Sequence, residues 1–269
     1  MVAGADRVAE FRRLHASGCF VMPNPWDAGS ARALAAMGFA ALATTSSGFA
    51  WTTGRPDNTL GRDETLAHLR LISAAVGLPV NADFQNGFAT EPDGVATNVA
   101  LAVQTGVAGL SIEDFSGDAA QPLFESGLAV ERVKAARAAI DDSRTGVLLT
   151  ARSEGFVWDR PDIDETIRRL SAYAEAGADC LYAPGITSVH HVSAIVAAVA
   201  PKPVNLLIHT PFTTVAEAAG LGVRRISIGG ALAKTAWRGF LDAAKAIKEQ
   251  GTFSDFVDLP DLNRLLDRS

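Results

Sequence analysis

The sequence is poor in cysteine and contains no long apolar run. Its 269 residues include two cysteines, Cys19 and Cys180, which form neither a CxxC motif nor a Cys/His zinc spacing. We therefore expect no disulfide framework, and we expect the protein to work in a reducing compartment. No apolar stretch approaches the roughly 20 residues needed to cross a bilayer, and the N-terminal segment lacks the apolar centre of a signal peptide. We expect a soluble, cytoplasmic protein that does not bind membranes.

Clusters of basic residues and several common catalytic motifs are also missing. The chain has 24 Lys and Arg against 30 Asp and Glu, a formal net charge of −6, without an Arg/Lys run. This balance argues against nucleic acid or an anionic membrane as a partner. The absence of GxSxG, HExxH and P-loop motifs removes the corresponding hydrolase, zinc protease and nucleotidase classes. Because 48% of the residues are hydrophobic, a large core is expected.

A repeated pattern of helix, glycine and short apolar run organises the chain. In four places a helical stretch ends at a glycine, namely Gly38, Gly106, Gly177 or Gly222. Glycine accepts the left-handed conformation that ends a helix, and the apolar run after it is typical of a strand buried on both faces. Four further apolar runs bring the predicted strands to eight: 19–23, 78–84, 146–152 and 203–208.

Segments of helical periodicity alternate with these strands. Such alternation implies parallel strands joined by right-handed crossovers, and about 30 residues per unit is typical of a (β/α)₈ barrel. A doubly wound open sheet is the alternative, but no GxGxxG follows the first strand. We predict one barrel domain over residues 1–250, and a helical tail over 251–269 that packs on the barrel or a neighbouring subunit. The predicted helices are 27–37, 63–76, 91–105, 128–142, 162–176, 187–199, 213–220 and 231–249.

Polar residues concentrate where the predicted strands end. They are Thr44 to Gly48, Asn81, Asp83, Gln85, Asn86, Glu113, Asp114, Arg152, Asn205 and His209. In a barrel of this kind the carboxyl ends of the strands form the active face. Carboxylates that converge there repel one another unless a cation is bound, and carboxylate and amide oxygens suit a hard ion such as Mg²⁺. The pattern therefore predicts a metal or substrate site at this end.

Each of these residues also has a structural interpretation. For Asp83 and Glu113 contact with metal or substrate is favoured. For Asp114 a structural role, as a helix cap or an ion-pair partner, is as well supported as a role in the site. Arg152 suits an ion pair with a neighbouring carboxylate and also a clamp on a carboxylate or phosphonate of the substrate. His209 is the one histidine near a strand end, and its role stays open between structure and acid–base chemistry.

Several motifs follow one another from about residue 10 to 245. They are Asn24-Pro25-Trp26-Asp27, Thr45-Ser46-Ser47-Gly48-Phe49, Gly54-Arg55-Pro56-Asp57, Asn81-Ala82-Asp83-Phe84-Gln85-Asn86, Ser111-Ile112-Glu113-Asp114, Thr150-Ala151-Arg152 and Pro203-Val204-Asn205. In this order they resemble the isocitrate lyase/phosphoenolpyruvate mutase superfamily. The resemblance implies a (β/α)₈ barrel whose last helix is swapped between subunits of a dimer or tetramer. It also implies Mg²⁺ or Mn²⁺, and small substrates, 2-oxo acids or 2-hydroxy di- or tricarboxylates, that react through an enolate.

The same resemblance implies roles for individual residues. The catalytic set is Arg152, Glu113 and Asp57; the substrate-binding set is Ser47, Gly48, Phe49, Arg152 and Asn205; the metal-binding set is Asp83, Gln85, Glu113 and Asp57. Asp83 would ligate the ion directly, and the other members of the metal-binding set would surround it largely through water. The backbone of residues 47–49 would hold the carboxylate of an oxo acid, with Arg152 reaching the developing enolate.

Two departures from the family pattern bear on the reaction. Many members carry a second carboxylate two residues after the metal-binding Asp, and this chain has Gln85 there. Isocitrate and methylisocitrate lyases carry a Lys-x-Cys-Gly-His loop after strand four. Here that segment reads Phe115-Ser116-Gly117-Asp118-Ala119-Ala120-Gln121-Pro122-Leu123, which matches neither that loop nor the Lys/Asn loop of phosphoenolpyruvate mutase. The proton-transfer group is therefore open, between a metal-bound water, His209 and an unidentified residue.

Three functional hypotheses follow. The leading one is a Mg²⁺-dependent lyase that cleaves a C–C bond of a small oxo- or hydroxy-carboxylate, releasing an oxo acid such as pyruvate. The second is P–C bond chemistry of the phosphonopyruvate type, which a basic cluster would favour; beyond Arg152 and Arg55 none is seen. The third is a non-catalytic protein that binds oxo acids, consistent with Gln85 and the plain loop.

Overall fold

Eight parallel strands form the centre of the computed structural model, which describes residues 4–256, 258 and 261–267. Their order is β1-β8-β7-β6-β5-β4-β3-β2, and the gap between the outer strands is bridged where Ala43 N donates to Pro23 O at 3.1 Å. This nearly closed sheet confirms the predicted (β/α)₈ barrel. The strands are β1 Phe20–Met22, β2 Leu42–Ala43, β3 Val80–Asp83, β4 Gly109–Glu113, β5 Leu148–Arg152, β6 Cys180–Tyr182, β7 Val204–Leu207 and β8 Arg225–Ser227.

Helices alternate with the strands, and all eight predicted helices are found within a few residues of their expected limits. Two additional helices were not predicted, one before β1 and one directly after β2. In the described part of the chain, no helix is both long and apolar enough to span a membrane. The helices are α1 Gly4–Ala16, α2 Ala28–Ala36, α3 Ser46–Thr52, α4 Arg62–Ala75, α5 Pro92–Val103, α6 Ser126–Ser143, α7 Ile163–Glu175, α8 Val189–Val199, α9 Val215–Gly220, α10 Ala231–Gln250 and α11 Leu262–Leu266.

Helix α1 covers the amino-terminal end of the barrel. Its Phe11 is fully buried, and the rings of Phe11, His15 and Phe20 pack edge to face. A Cβ atom at Gly109, the first residue of β4, would lie 2.6 Å from Phe11 Cε1, so only glycine fits beside this ring. In the described part of the chain the ring of Phe11 thus fills this end of the barrel.

The interior of the barrel is polar, whereas the apolar core lies between the strands and the helices. Side chains alternate between the two faces of a strand, so Ile226 on β8 joins the apolar core while its neighbours Arg225 and Ser227 face inward. The buried inward-facing polar residues also include Asn81, Ser111, Thr150 and Asn205. The fold therefore places hydrogen-bonding groups beneath the strand ends that the sequence marked as the active face.

Helix α10 leaves apolar side chains exposed, and Phe240 and Leu241 are 62% and 54% accessible. Helix α11, within the tail that the sequence analysis separated from the barrel, packs against α2. Val257, Leu259, Pro260 and residues 268–269 of that tail lie outside the described residues. The division of the chain at residue 250 and the swapping of α10 between subunits both stay predictions.

Candidate active site

A cavity of about 210 Å³ opens at the carboxyl ends of the strands. Four residues predicted for the site line it: Ser47, Asp57, Asp83 and Arg152. The remaining lining residues are Met22, Asn24, Ala43, Thr44, Thr45, Ser46, Asn81, Ser111, Glu154, Val157, Tyr182, Pro184, Leu207, Arg225, Ser227, Gly229 and Gly230. At roughly 30 Å³ per water, this volume suits a small organic acid rather than a nucleotide.

Arg152, at the end of β5, is the centre of a buried ion-pair cluster. Its Nη1 lies 3.0 Å from Asp83 Oδ1, its Nη2 lies 3.1 Å from Glu113 Oε2, and its Nε lies 2.8 Å from Glu154 Oε1. The guanidinium carbon is also 5.1 Å from the ring centre of Tyr182. One guanidinium thus joins carboxylates from three segments of the chain, β3, β4 and the residues just after β5.

This cluster contains more carboxylates than positively charged groups. Burial and the neighbouring carboxylates raise the pKa of Glu113 well above its usual value, against the opposing effect of Arg152. Burial also raises the pKa of Glu154. At the mouth of the cavity, burial of the carboxyl group and the charge of Asp83 raise the pKa of Asp57. Carboxyl groups in such surroundings favour either a bound proton or a bound cation.

Asp83 is fixed by contacts to the segment after β2. Its Oδ2 accepts a hydrogen bond from Ser46 N at 2.9 Å, and its own backbone N–H donates to Thr44 Oγ1 at 2.9 Å. Helix α3 begins at Ser46, with the Thr45 side chain as its N-cap. Asp83 is therefore held at one defined position of the cavity wall between a helix start and a guanidinium.

Asp114 has the structural role that the sequence left open. Its Oδ2 accepts from Tyr173 Oη at 2.7 Å and from Arg169 Nη1 at 3.2 Å, and its Oδ1 accepts from Glu154 N at 2.8 Å. Asp114 is buried and lies outside the cavity lining. It therefore orients the backbone that presents Glu154 to Arg152.

Four predicted site residues do not line the cavity. The N–H groups of Gly48 and Phe49 donate to Thr45 Oγ1 and Thr45 O, and the Phe49 ring stacks on His68 with 3.9 Å between centroids. Asn205 lies behind two lining residues, bonded to both. Gln85 is buried, and its Nε2 has no hydrogen-bond partner among the described residues. The substrate- and metal-binding roles implied for these four stay predictions.

Glu113 and His209 also lie outside the lining. Glu113 still belongs to the site through its contact with Arg152, whereas His209 is exposed. The chain segment after β4 folds on itself: Phe115 pairs with Leu123, Ser116 N donates to Pro122 O at 2.8 Å, and the Phe115 ring stacks on Trp158. None of the described residues 115–127 lines the cavity.

Three of the ionisable residues that line the cavity were not predicted from the sequence: Glu154, Tyr182 and Arg225. A signal existed for Glu154, because it follows Arg152 by two residues at a strand end. Burial raises the pKa of Tyr182 to about 12, so its hydroxyl group is protonated at neutral pH. Arg225 is the first residue of β8 and is almost completely buried.

The donor set fits a divalent cation that keeps part of its water shell. No group of three His, Cys, Asp or Glu side chains stands ready as a complete ligand set within the described chain. However, four carboxylates, those of Asp57, Asp83, Glu113 and Glu154, accompany a single guanidinium at this end of the cavity. Oxygen ligands of this kind suit Mg²⁺ or Mn²⁺, and Mg²⁺ typically uses only one or two carboxylates directly.

Comparisons with known proteins show similarity to one family over most of the chain. The family model described as phosphoenolpyruvate phosphomutase matches residues 11–248. A crystal structure from Burkholderia cenocepacia J2315, described only as a lyase/mutase, has a TM-score of 0.95 at 45% identity, with 98% of this chain and 97% of that chain covered. Oxaloacetate acetylhydrolase, solved with its product oxalate, has a TM-score of 0.86 at 27% identity, with 98% and 93% covered.

A similarity to a curated sequence covers a shorter part of the chain. Oxaloacetate decarboxylase from Bradyrhizobium diazoefficiens is 34% identical over 155 residues, which is 54% of this chain and 51% of that protein. The names of both enzymes give oxaloacetate, a small carboxylate, as the substrate.

Proposed function

Because the chain belongs to the isocitrate lyase/phosphoenolpyruvate mutase superfamily of carbon–carbon lyases and mutases, we propose that it cleaves a C–C bond of a small 2-oxo or 2-hydroxy carboxylate. The reaction would pass through an enolate, require Mg²⁺ or Mn²⁺ and release an oxo acid such as pyruvate. The observation that carries the proposal is the single guanidinium of Arg152 among three buried carboxylates, at the wall of a cavity of small-acid size.

The carboxylates of this cluster have separate tasks. Asp83 is the residue best placed to hold the ion, because it lines the cavity and its position is fixed by Ser46 and Arg152. Asp57 and Glu113 would complete the site, with Gln85 as an amide contributor. A bound divalent ion supplies Lewis-acid stabilisation of the negative charge that develops on an enolate oxygen.

Arg152 has the geometry to stabilise the same charge. Its three ion pairs fix the guanidinium before substrate binds, and donors that are already oriented need no reorganisation during the reaction. Glu154, held in turn by Asp114, orients the Nε side of this guanidinium. Tyr182 contributes a protonated hydroxyl group to the same wall and is the side chain we assign as proton donor to the product.

The P–C alternative finds less support in the cavity. Arg55, the additional basic residue that the sequence offered, pairs with Glu64 at 2.5 Å and does not line the cavity. A phosphonate dianion would need more donors than the charge-compensated Arg152 and the largely hydrogen-bonded Arg225 of the same lining provide. A non-catalytic protein would bind the same acids as the lyase but would not turn them over. Measuring both binding and turnover therefore separates the lyase, the P–C enzyme and the non-catalytic protein.

We also propose that the protein acts as a homo-oligomer, a dimer or a tetramer, in which α10 packs on a neighbouring subunit. The apolar residues Trp237, Phe240, Leu241 and Ile247 are exposed on this helix. Exposed apolar patches on a helix of this length are typical of surfaces that associate. We place the protein in the cytoplasm, as its cysteine content suggests.

The experiment is a calorimetric titration of oxalate, a mimic of the pyruvate enolate, with and without Mg²⁺. We expect binding that needs Mg²⁺ and is lost in Asp83→Ala, while Asp63→Ala, a control at an exposed carboxylate of α4, binds as the wild type does. Turnover of oxaloacetate and related acids then identifies a lyase. Turnover of phosphonopyruvate alone would favour P–C chemistry, and binding without any turnover would favour the non-catalytic protein. Metal-independent oxalate binding would contradict the proposal.

A further inference from the structure

We propose that Arg225, at the floor of the cavity, binds a second carboxylate group of the ligand, apart from the group bound near Arg152. Arg225, Asn205 and Ser227 are named here the floor subsite. The proposal rests on the proposed function in taking this cavity as the substrate site. It extends that function by naming the residue that would hold one carboxylate of a dicarboxylate ligand at the floor, while the other carboxylate lies at the mouth.

Arg225 is a buried cation without a counter-ion. It is 2% exposed, and its hydrogen-bond partners are neutral: Nε donates to Asn205 Oδ1 at 2.9 Å, and Nη1 lies 3.3 Å from His15 Nε2 and 3.4 Å from Asn81 Oδ1. No carboxylate lies within ion-pair distance of it in the described chain. Its Nη2 donates to no acceptor there either, while the residue lines the cavity.

Two other buried arginines, Arg132 and Arg169, make several contacts within the protein and lie outside the cavity lining. Arg132 donates to the carbonyl oxygens of Asn86, Ala89 and Thr90, and Arg169 pairs with Asp114 and Glu165. Removing a guanidinium from water without an opposite charge is costly. Arg132 also lacks a carboxylate partner, and its Nε has no hydrogen-bond partner among the described residues. Arg225 alone among the three lines the cavity, where an anion would satisfy both its charge and its unused donor.

The neighbours of Arg225 keep it charged and oriented. His15 Nδ1 lies 2.7 Å from Phe11 O, and because a carbonyl oxygen can only accept, the proton must be on Nδ1. The lone pair on Nε2 then faces Arg225. Asn205 is fixed in the same way, because its Nδ2 donates to Ser227 Oγ at 2.9 Å and so directs Oδ1 at Arg225. Arginine remains protonated in such surroundings.

A carboxylate matches this subsite better than a phosphonate. One free Nη2 and one positive charge suit a monoanionic group, whereas a phosphonate dianion would need further donors. The floor also differs from the mouth in sign: the mouth carries the carboxylates of Asp57, Asp83 and Glu154, whereas the floor carries only the cation. An anion at the floor should therefore bind without the help of a metal ion.

The test compares malate with lactate, which differ by one carboxylate, in calorimetric titrations with Mg²⁺ present. We expect Arg225→Met to weaken malate binding at least tenfold and lactate binding less than threefold, and Arg225→Lys to restore part of the malate affinity. Arg224→Met is the matched control, because the neighbouring side chain points out of the barrel to Gly18 O. This control should leave the affinity for both ligands unchanged.

A second variant keeps the test decisive if Arg225→Met does not fold. Asn205→Asp keeps the shape of the side chain and places a carboxylate next to Arg225 Nε, so the cation is neutralised inside the protein. We expect a folded protein that has lost its preference for malate. Equal losses for malate and lactate, stronger Arg225-dependent binding of phosphonopyruvate than of malate, or no malate binding by the wild type would overturn the inference. Failure of the proposed function would be seen separately, in the oxalate titration and the turnover of the wild type.

Discussion

The buried histidine below the cavity predicts a specific loss of stability in acid. His15, on α1, is packed between Phe11 and Phe20 and accepts a hydrogen bond from Arg225. Burial, together with the positive charges of Arg225, Arg12 and Arg224, lowers its pKa from 6.5 to about 3. In the folded protein His15 is thus neutral throughout the range from pH 7 to pH 4.

The sign and the size of the effect follow from proton linkage. Between the folded and unfolded pKa values the unfolded chain binds more protons, so the free energy of unfolding rises with pH in this window and falls on acidification. The contribution is complete above pH 6.5 and disappears as the pH approaches about 3. At pH 5, about 1.5 units below the unfolded value, the loss is about 2 kcal/mol.

The assay is urea unfolding followed by tryptophan fluorescence at pH 7 and pH 5, at one protein concentration. We expect wild type to lose about 2 kcal/mol more than His15→Gln on this change of pH, because glutamine does not titrate. His190→Gln, which changes an exposed histidine of α8, should follow wild type. If wild type and His15→Gln lose the same amount, His15 is not held neutral, and the hydrogen bond assigned between it and Arg225 is wrong.

Two further predictions concern residues around Arg152. Asp114→Ala should lower the free energy of unfolding by about 3 kcal/mol, because Tyr173 Oη and Glu154 N lose their acceptor and Arg169 loses one of its two carboxylate partners. Urea unfolding measures this loss, and a loss no larger than that of the exposed-loop control Asp118→Ala would contradict the buried network. Gln85→Glu should tighten Mg²⁺ binding by about tenfold in the presence of oxalate, because it adds a carboxylate beside the cluster; calorimetry with unchanged affinity would place Gln85 outside the metal site.

The barrel could be predicted because its signals are local. A glycine at the end of a helix and a short apolar run after it need no knowledge of distant residues, and these signals recur around the whole fold. Helix α3 was missed for the same reason. Its seven residues, Ser46 to Thr52, are too few to show a helical period, and they include Gly48, so the helix is defined by Thr45 as its N-cap and by packing.

The site could be predicted only where strand ends determine it. Asp83, Glu113 and Arg152 end three predicted strands, and the structure brings them together. Glu154 depends instead on Asp114, 40 residues earlier, which accepts from its backbone N–H. Arg225 stands beside Arg224 in the sequence, and only the register of β8 decides which of the two side chains enters the barrel. The position of Glu154 beside Arg152 in the sequence marks it as a candidate, but its support by Asp114 and the inward direction of Arg225 have no local signal.

Because no described residue of the loop after β4 lines the cavity, we expect the proton donor on the wall of the barrel rather than at its rim. In the lyases that this chain resembles, that loop carries the acid, whereas here the segment pairs Phe115 with Leu123 and stacks on Trp158. With His209 exposed, Tyr182 is the cavity residue that combines a protonated group with contact to Arg152. A donor on a strand is positioned by the barrel itself, so proton transfer in this protein would need no loop closure.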